Sequence, residues 1–295
     1  MTRQNPVAID AQRHSGNRLL LAWIRLLRPT HWVKNAFVLA PLLFSRSFHD
    51  GEDVLRATLA FVVFCLVASA VYIWNDCRDQ DVDRLHHWKQ DRPIASGIVS
   101  SRHALWVAAV LLATAGALLL LTPAISVHVA LYLAINTGYS WGLKRIPWLD
   151  LFLLASGFVI RVYAGAAAIS VDLSAWMLFA TWTLAIYLAS WKRYAELHNH
   201  GSAGRPVLEG YRLEHLRLVA LLAGAASLIC YGLFIAVVRH ALWPTLVPVV
   251  AGVCRYAWLV LKRGHGDNPF TVIARDPLLA VTTLVWALST LLLLW

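Results

Sequence analysis

Asn75, Asp76, Asp79 and Asp83 fall within nine residues, directly after the apolar run Leu59 to Trp74. If the helix continues at about 100° per residue, Asp79 lies roughly 40° from Asn75, Asp83 roughly 80° and Asp76 about 100°, so all four share one sector. Asp81 falls on the far side. Carboxylates stacked at i, i+3 and i+4 repel one another, and a divalent cation removes that penalty. An all-oxygen set with one neutral Asn suits a hard ion such as Mg²⁺ that also holds a substrate phosphate. The plainer alternative is a solvated acidic helix end. Two features weigh against it. Acids at a membrane boundary are expensive, and Lys89 and Arg92 follow at once, placed to meet phosphate oxygens.

The rest of the chain must hold that row at a membrane surface. Of 295 residues, 59% are hydrophobic and 14% charged, against about 25% charged in soluble domains. The composition predicts an all-α polytopic membrane protein. Nine spans can be drawn, roughly 33–48, 54–75, 103–121, 126–142, 150–168, 175–192, 214–238, 242–261 and 277–295, each near the ~17–25 residues that a crossing needs. Lys and Arg concentrate in the segment before Lys34 and in the loops after spans two, four, six and eight, so the positive-inside rule places these in the cytoplasm. The net charge of +10 follows from that bias and calls for no nucleic acid. Residues 1–28 read as a tail with a short interfacial helix over Leu19 to Leu27, and 29–295 as a single catalytic unit. No cleavable signal peptide is expected there. The four Cys have no paired spacing and read as ordinary thiols.

On this topology the other polar groups gather at the same face. Tyr139-Ser140-x-x-Leu143-Lys144 closes the fourth span and Asp150 opens the fifth. Asp150 has three readings: completing a metal site, pairing with Lys144 or Arg161, or capping the helix. Arg161 lies inside the fifth span, where an Arg faces protein or a water-filled cavity. It is either a phosphate-binding catalytic group or a structural residue paired with a carboxylate or a helix carbonyl. Lys192 and Arg193 end the sixth span, and Lys34 opens the first. The His residues, including His31, His86, His87, His198 and His200, read as loop or interface residues. A transporter is the alternative from another class, but its polar site belongs near the bilayer midplane.

Asn75-Asp76-x-x-Asp79-x-x-x-Asp83 with Arg92-Pro93-Ile94-Ala95-Ser96-Gly97 resembles the first aspartate-rich motif of the UbiA superfamily of membrane prenyltransferases. The resemblance implies nine transmembrane helices around a central cavity, with Mg²⁺ and a diphosphate at its cytoplasmic end. Four residues after Asp150 stands Leu154, so the second Asp-x-x-x-Asp motif of the aromatic-substrate branch is missing. Arg28-Pro29-x-x-Trp32-x-Lys34-Asn35, the Tyr139 to Lys144 stretch, Gly157-Phe158-x-x-Arg161-x-x-Ala164-Gly165 and Lys192-Arg193-Tyr194-Ala195-Glu196-Leu197 instead resemble the decaprenyl-phosphate phosphoribosyltransferase branch. That branch implies transfer of a 5-phosphoribosyl group from phosphoribosyl pyrophosphate to a polyprenyl phosphate in the bacterial inner membrane. Asn75, Asp79 and Asp83 would hold Mg²⁺, with Asp76 near; Lys89, Arg92, Lys144 and Arg161 would bind phosphates, with Lys34, Tyr139, Asp150, Lys192 and Arg193 as further substrate contacts. The alternative within the superfamily is an aromatic prenyltransferase that uses prenyl diphosphate as donor.

The charge bias makes a topological prediction. In a cysteine-free background, single cysteines at Asp81, Arg145, Ala203 and Gly266 should be blocked only by reagents on the cytoplasmic side. Labelling of any of them from outside would break the nine-span arrangement.

Overall fold

The computed structural model describes residues 18–85, 89–201, 206–264, 266 and 269–295. His86, His87, Ala203, Arg205, Asp267 and residues 1–17 of the tail lie outside the described residues. Every regular element among the described residues is helical.

Helix α1 (18–27) turns Leu19, Leu20, Leu21 and Ile24 outward and buries Ala22 and Leu26, the pattern of a helix lying in an interface. The first expected span is irregular. Pro29–Leu39 is a 3-10 helix, and the short helix α2 (Ala40–Ser45) follows. Pro41 lacks an N–H and suits a helix's first turn, so the α-helical part begins beside it. With three residues per turn, Trp32, Asn35 and Val38 line up on one side. That line packs on α3 (Gly51–Arg78): Trp32 Nε1 donates to Ser69 Oγ at 3.0 Å, and Asn35 Nδ2 donates to Cys65 Sγ at 3.3 Å. Asp50 begins α3 by accepting the N–H of Glu52 at 2.8 Å.

The expected helical continuation past Asn75 holds with one break. Helix α3 ends at Arg78, Asp79 takes a non-helical conformation, and α4 (Gln80–Leu85) resumes at once. The bonds Asp79 N–H to Asn75 O (2.9 Å) and Asp83 N–H to Asp79 O (2.8 Å) carry the chain through.

The remaining elements are α5 (Ser101–Leu119), α6 (Ser126–Trp141), α7 (Leu149–Ala168), α8 (Ala175–His200), α9 (Leu213–Val237), α10 (Leu246–Arg263), α11 (Pro269–Arg275) and α12 (Pro277–Leu294). With the Pro29–Ser45 segment, a helical element occupies each of the nine expected spans among the described residues. Six helices (α3, α5, α7, α9, α10 with its leading 3-10 turn, and α12) are long and apolar enough to cross a membrane by length and composition.

Small residues line the interior. Ala57, Ala60, Ala68, Ala164 and Ala168 are buried around Phe64 and Tyr132, while Leu105, Trp106, Val110, Leu222 and Leu292 face outward. In lipid the apolar effect gives little between helices, so close backbone approach and van der Waals packing hold the bundle. The tightest approach is at Gly165, where an added Cβ would lie 1.9 Å from the Val38 carbonyl oxygen.

Gly165→Ala should therefore lower the thermal unfolding midpoint of the detergent-purified protein, with an overpacking cost of about 1–3 kcal/mol. Gly116→Ala, where a Cβ meets nothing within 4 Å, should leave it unchanged. Equal midpoints for the two variants would contradict this packing.

Candidate active site at the ends of α3 and α6

The acidic row lies at the end of α3, and a cation matches each of its carboxylates. Asp76 is 3% exposed and accepts from two guanidinium groups. Arg28 Nη2 reaches its two oxygens at 2.6 and 2.8 Å, and Arg92 Nη1 reaches Oδ1 at 2.9 Å. Arg92 Nη1 also donates to Asp83 Oδ2 at 2.7 Å, and Lys89 Nζ stands 3.8 Å from Asp83 Oδ1. Asp79 is turned toward α6, with Lys144 Nζ at 3.1 and 3.4 Å. Asn75 meets Ser140 Oγ at 2.5 Å. Asp81 points away, with its side chain 94% exposed and Arg84 at 3.4 Å. Isolated buried carboxylates are strongly disfavoured, so this pairing is a condition of burying them.

Local chain geometry delivers these cations. Arg28 adopts a left-handed conformation (φ 53°) between α1 and the 3-10 segment. Ser69 Oγ donates to Leu27 O at 2.8 Å and accepts from Trp32, which fixes that corner against α3. The Arg28 guanidinium also lies over the Tyr72 ring, 4.9 Å from its centre. Arg92 is held by a compact turn in which Ser96 N–H bonds Arg92 O and buried Ile94 packs on Ile73 and Leu26. Lys144 sits in the 3-10 turn Leu143–Arg145 that follows Gly142, whose φ of 154° ends α6.

Asp150 and Arg193 form a second, sealed cluster. Arg193 Nε donates to Asp150 Oδ2 at 2.8 Å and Nη1 to Glu196 Oε2 at 2.6 Å; Nη2 lies 3.4 Å from the Tyr139 hydroxyl. Tyr211 donates to the other Asp150 oxygen and accepts the Trp148 N–H at 2.8 Å. Burial, then the bond to Asp150, pushes the Tyr211 hydroxyl up, so it keeps its proton and remains a donor. Of the three readings for Asp150, pairing is the one realised, but with Arg193 and Tyr211 in place of Lys144 or Arg161. It makes no capping bond: the residue at the α7 cap position is Trp148. Lys192 extends from the same helix, its Nζ 3.9 Å from Glu196.

Arg161 is buried, and among the described residues its hydrogen-bond partners are neutral. Its Nε donates to Asn35 Oδ1 at 2.7 Å, Nη1 to Gly157 O at 2.7 Å and Nη2 to the Tyr132 hydroxyl at 3.1 Å. Its guanidinium lies 4.7 Å from the Tyr132 ring centre. The charge is thus solvated by neutral groups and adds to a positive field that it shares with Lys34, Lys192 and Arg28.

Comparison with known proteins identifies the family. The UbiA prenyltransferase family model matches residues 36–275. The chain belongs to the UbiA prenyltransferase family. It is 35% identical to a decaprenyl-phosphate phosphoribosyltransferase of Mycolicibacterium smegmatis, covering 94% of each chain. It is 37% identical to the Mycobacterium tuberculosis protein of the same name, over 91% of this chain and 92% of that one. Among solved structures, a UbiA homolog from Archaeoglobus fulgidus bound to DMAPP and Mg²⁺ superimposes with a TM-score of 0.72 at 19% identity, over 92% of this chain and 98% of that one. This last match shows the shared fold.

As a UbiA-family site, the acidic row can be tested for a metal. Among the described residues, no three His, Cys, Asp or Glu side chains form a metal-holding group, because each acid of the row faces a cation. The donor chemistry nonetheless fits Mg²⁺: Asn75, Asp79 and Asp83 present only oxygen ligands one turn apart. Asp79 is the most open, with 36% of its side chain exposed and a Lys partner that is itself partly exposed.

Several residues of this arrangement escape the sequence reading: Arg28 as a partner of Asp76, and Asn35, Tyr132, Ser140, Glu196 and Tyr211 as polar supports. All but Tyr132 stand inside stretches with family resemblance, Tyr211 at the end of the weaker stretch Arg205-Pro206-Val207-Leu208-Glu209-Gly210-Tyr211, so the signal is membership of a motif. Tyr132 has none.

The sealed cluster should be a stability element. Asp150→Ala leaves the Arg193 charge buried with one carboxylate fewer, and removing one partner of a buried pair costs about 3–5 kcal/mol. Tyr211→Phe removes the donor to Asp150 and the acceptor of the Trp148 N–H and should cost about 1–3 kcal/mol, the range for leaving buried polar groups unsatisfied. Denaturant unfolding of the purified variants checks both, and a Tyr211→Phe loss as large as that of Asp150→Ala would contradict the geometry.

Proposed function

We propose that this chain is an integral-membrane transferase that moves a 5-phosphoribosyl group from phosphoribosyl pyrophosphate to a decaprenyl-type polyprenyl phosphate, with release of diphosphate. The observation that carries the reading is the near-full-length similarity to decaprenyl-phosphate phosphoribosyltransferases. The interleaving of acids and cations supports it, because diphosphate and monophosphate groups both need cationic partners. We place the protein in the bacterial inner membrane with this site toward the cytoplasm, in line with the Lys and Arg bias.

In this mechanism the anomeric C–O bond to diphosphate breaks, and an oxygen of the acceptor phosphate forms the new bond. That phosphate is anionic at neutral pH, so no side chain has to remove a proton. Lys89, Arg92 and Lys144 bind phosphate oxygens after leaving the carboxylates that hold them. Arg161, Lys34 and Lys192 supply a positive field that keeps the anionic groups together. Asn75, Asp79 and Asp83 would hold Mg²⁺, which when bound would neutralise charge developing on the leaving diphosphate. Positioning and electrostatics then provide most of the rate.

The aromatic prenyltransferase alternative is the weaker reading. It expects a second Asp-x-x-x-Asp motif, and Leu154 stands where the second acid of that motif would be.

The deciding experiment incubates purified protein with labelled phosphoribosyl pyrophosphate, a polyprenyl phosphate and Mg²⁺. Label should pass into the lipid extract. Absence of lipid label, with product formed instead from a prenyl diphosphate and an aromatic acid, would overturn the proposal. In the same assay Asp79→Ala and Asp83→Ala should lose a hundredfold or more, roughly 3 kcal/mol of barrier, while outward-facing Asp81→Ala stays near the parent rate.

A further inference from the structure

A second cluster of cations lies outside the candidate active site, on the outer surface of α10 and α12. Asp276 caps α12 by accepting the Leu279 N–H at 2.9 Å. It also holds Arg255 of α10, whose Nε and Nη2 donate to its two oxygens at 3.1 and 2.8 Å. That leaves the other edge of the guanidinium, with Nη1, for a further acceptor such as a phosphate. The same guanidinium lies over the Trp258 ring, 4.5 Å from its centre, and Arg263 lies over that ring too, at 5.4 Å. Trp258, Lys262 and Arg263 are exposed. One indole thus gathers two guanidinium groups that share, among the described residues, the single carboxylate of Asp276. The cluster keeps a positive surplus, which attracts an anion.

Helix α12 extends this surface into the membrane. Leu278, Val281, Val285 and Leu288 are all exposed, and at about 100° per residue they fall within one sector of about 80°. The two helices meet where Gly252 faces Thr282 and Leu279. Counted from that contact in each antiparallel helix, the apolar stripe and Trp258 turn to the same outer side of the pair. A cation clamp with an indole, the side chain that favours the membrane–water boundary, therefore opens onto an apolar track. A free phosphate would use the clamp alone, whereas a phospholipid uses both parts. We propose that the outer surface of α10 and α12 binds an anionic phospholipid, with its headgroup phosphate on Arg255 and Arg263 and an acyl chain along the α12 stripe. The Lys and Arg bias assigns this end of both helices to the cytoplasmic side, where the leaflet carries anionic lipid. No residue of this surface belongs to the acidic row or its cations.

The test is native mass spectrometry of the detergent-purified protein, titrated with phosphatidylglycerol and, separately, with phosphatidylcholine of the same acyl chains. The first phosphatidylglycerol should bind about tenfold more tightly than phosphatidylcholine. An interfacial cation contributes roughly fivefold toward anionic lipid, so Arg263→Gln should weaken that adduct about fivefold and Lys262→Gln with Arg263→Gln about twentyfold. Arg56→Gln, which removes an exposed cation near the start of α3, should leave it unchanged. Equal affinity for the two lipids, or the same loss in Arg56→Gln as in Arg263→Gln, would overturn the proposal. Displacement of the lipid by inorganic phosphate at equal concentration would do so too, because it would mark an anion site without a lipid track. So would dimers or larger assemblies that Arg263→Gln dissociates in the absence of any lipid adduct, which would give this surface to a second copy of the chain.

Discussion

Carboxylates at a membrane boundary remain charged only if something nearby matches them, and the site is organised around that constraint. Asp76 and Asp83 are almost fully buried, and Arg92 bridges them through one nitrogen at 2.9 and 2.7 Å. Arg28 completes Asp76 from the other side. Removing these cations would leave two acids in a medium where an isolated charge costs far more than any single packing contact contributes. The corner between α1 and the 3-10 segment, the compact turn after Lys89 and the broken junction at Asp79 all bring a cation or an acid to this meeting point.

Under the proposed function, the same pairing lets a site for anionic substrates exist before they arrive. A cation held by a carboxylate is preorganised, and a phosphate that takes the cation leaves a carboxylate able to bind a metal. The more exposed pair, Asp79 with Lys144, is the more easily exchanged, because both side chains keep about a third of their surface open. The Asp150–Arg193–Tyr211 core of the second cluster is buried, with Glu196 at its partly exposed edge, and it behaves as a strut: it anchors the start of α7 to α8 and to the loop before α9. Two clusters of similar composition thus serve opposite ends, and exposure separates them.

The helical architecture and the acidic row are legible in the sequence because they depend on local signals: apolar length, charge asymmetry and helical spacing. Asp81 falls opposite Asn75 by angle alone, and its exposure follows. Partners distant in sequence are not legible. Asp150 could meet Lys144 or Arg161 by proximity along the chain, yet it pairs with Arg193, 43 residues away. Arg161 is expected to need a carboxylate or a helix carbonyl. It takes the carbonyl of Gly157 together with the neutral oxygens of Asn35 and Tyr132, contacts that only the packing of α7 on the 3-10 segment and α6 creates. The 3-10 conformation of the first span is equally hidden, since hydropathy does not report residues per turn.

The central claim is that acids and cations at this face form one balanced set that opens to metal and phosphate together. Calorimetric titration of Mg²⁺ into the detergent-purified protein, with and without inorganic pyrophosphate, tests it most directly. Alone, Mg²⁺ must displace Arg92 from Asp83 and Lys144 from Asp79 and forfeit those ion pairs; with pyrophosphate, those cations gain new oxygens. Mg²⁺ binding should be at least about tenfold tighter with pyrophosphate, a coupling of about 1.4 kcal/mol. Equal Mg²⁺ affinity in the two titrations would contradict it.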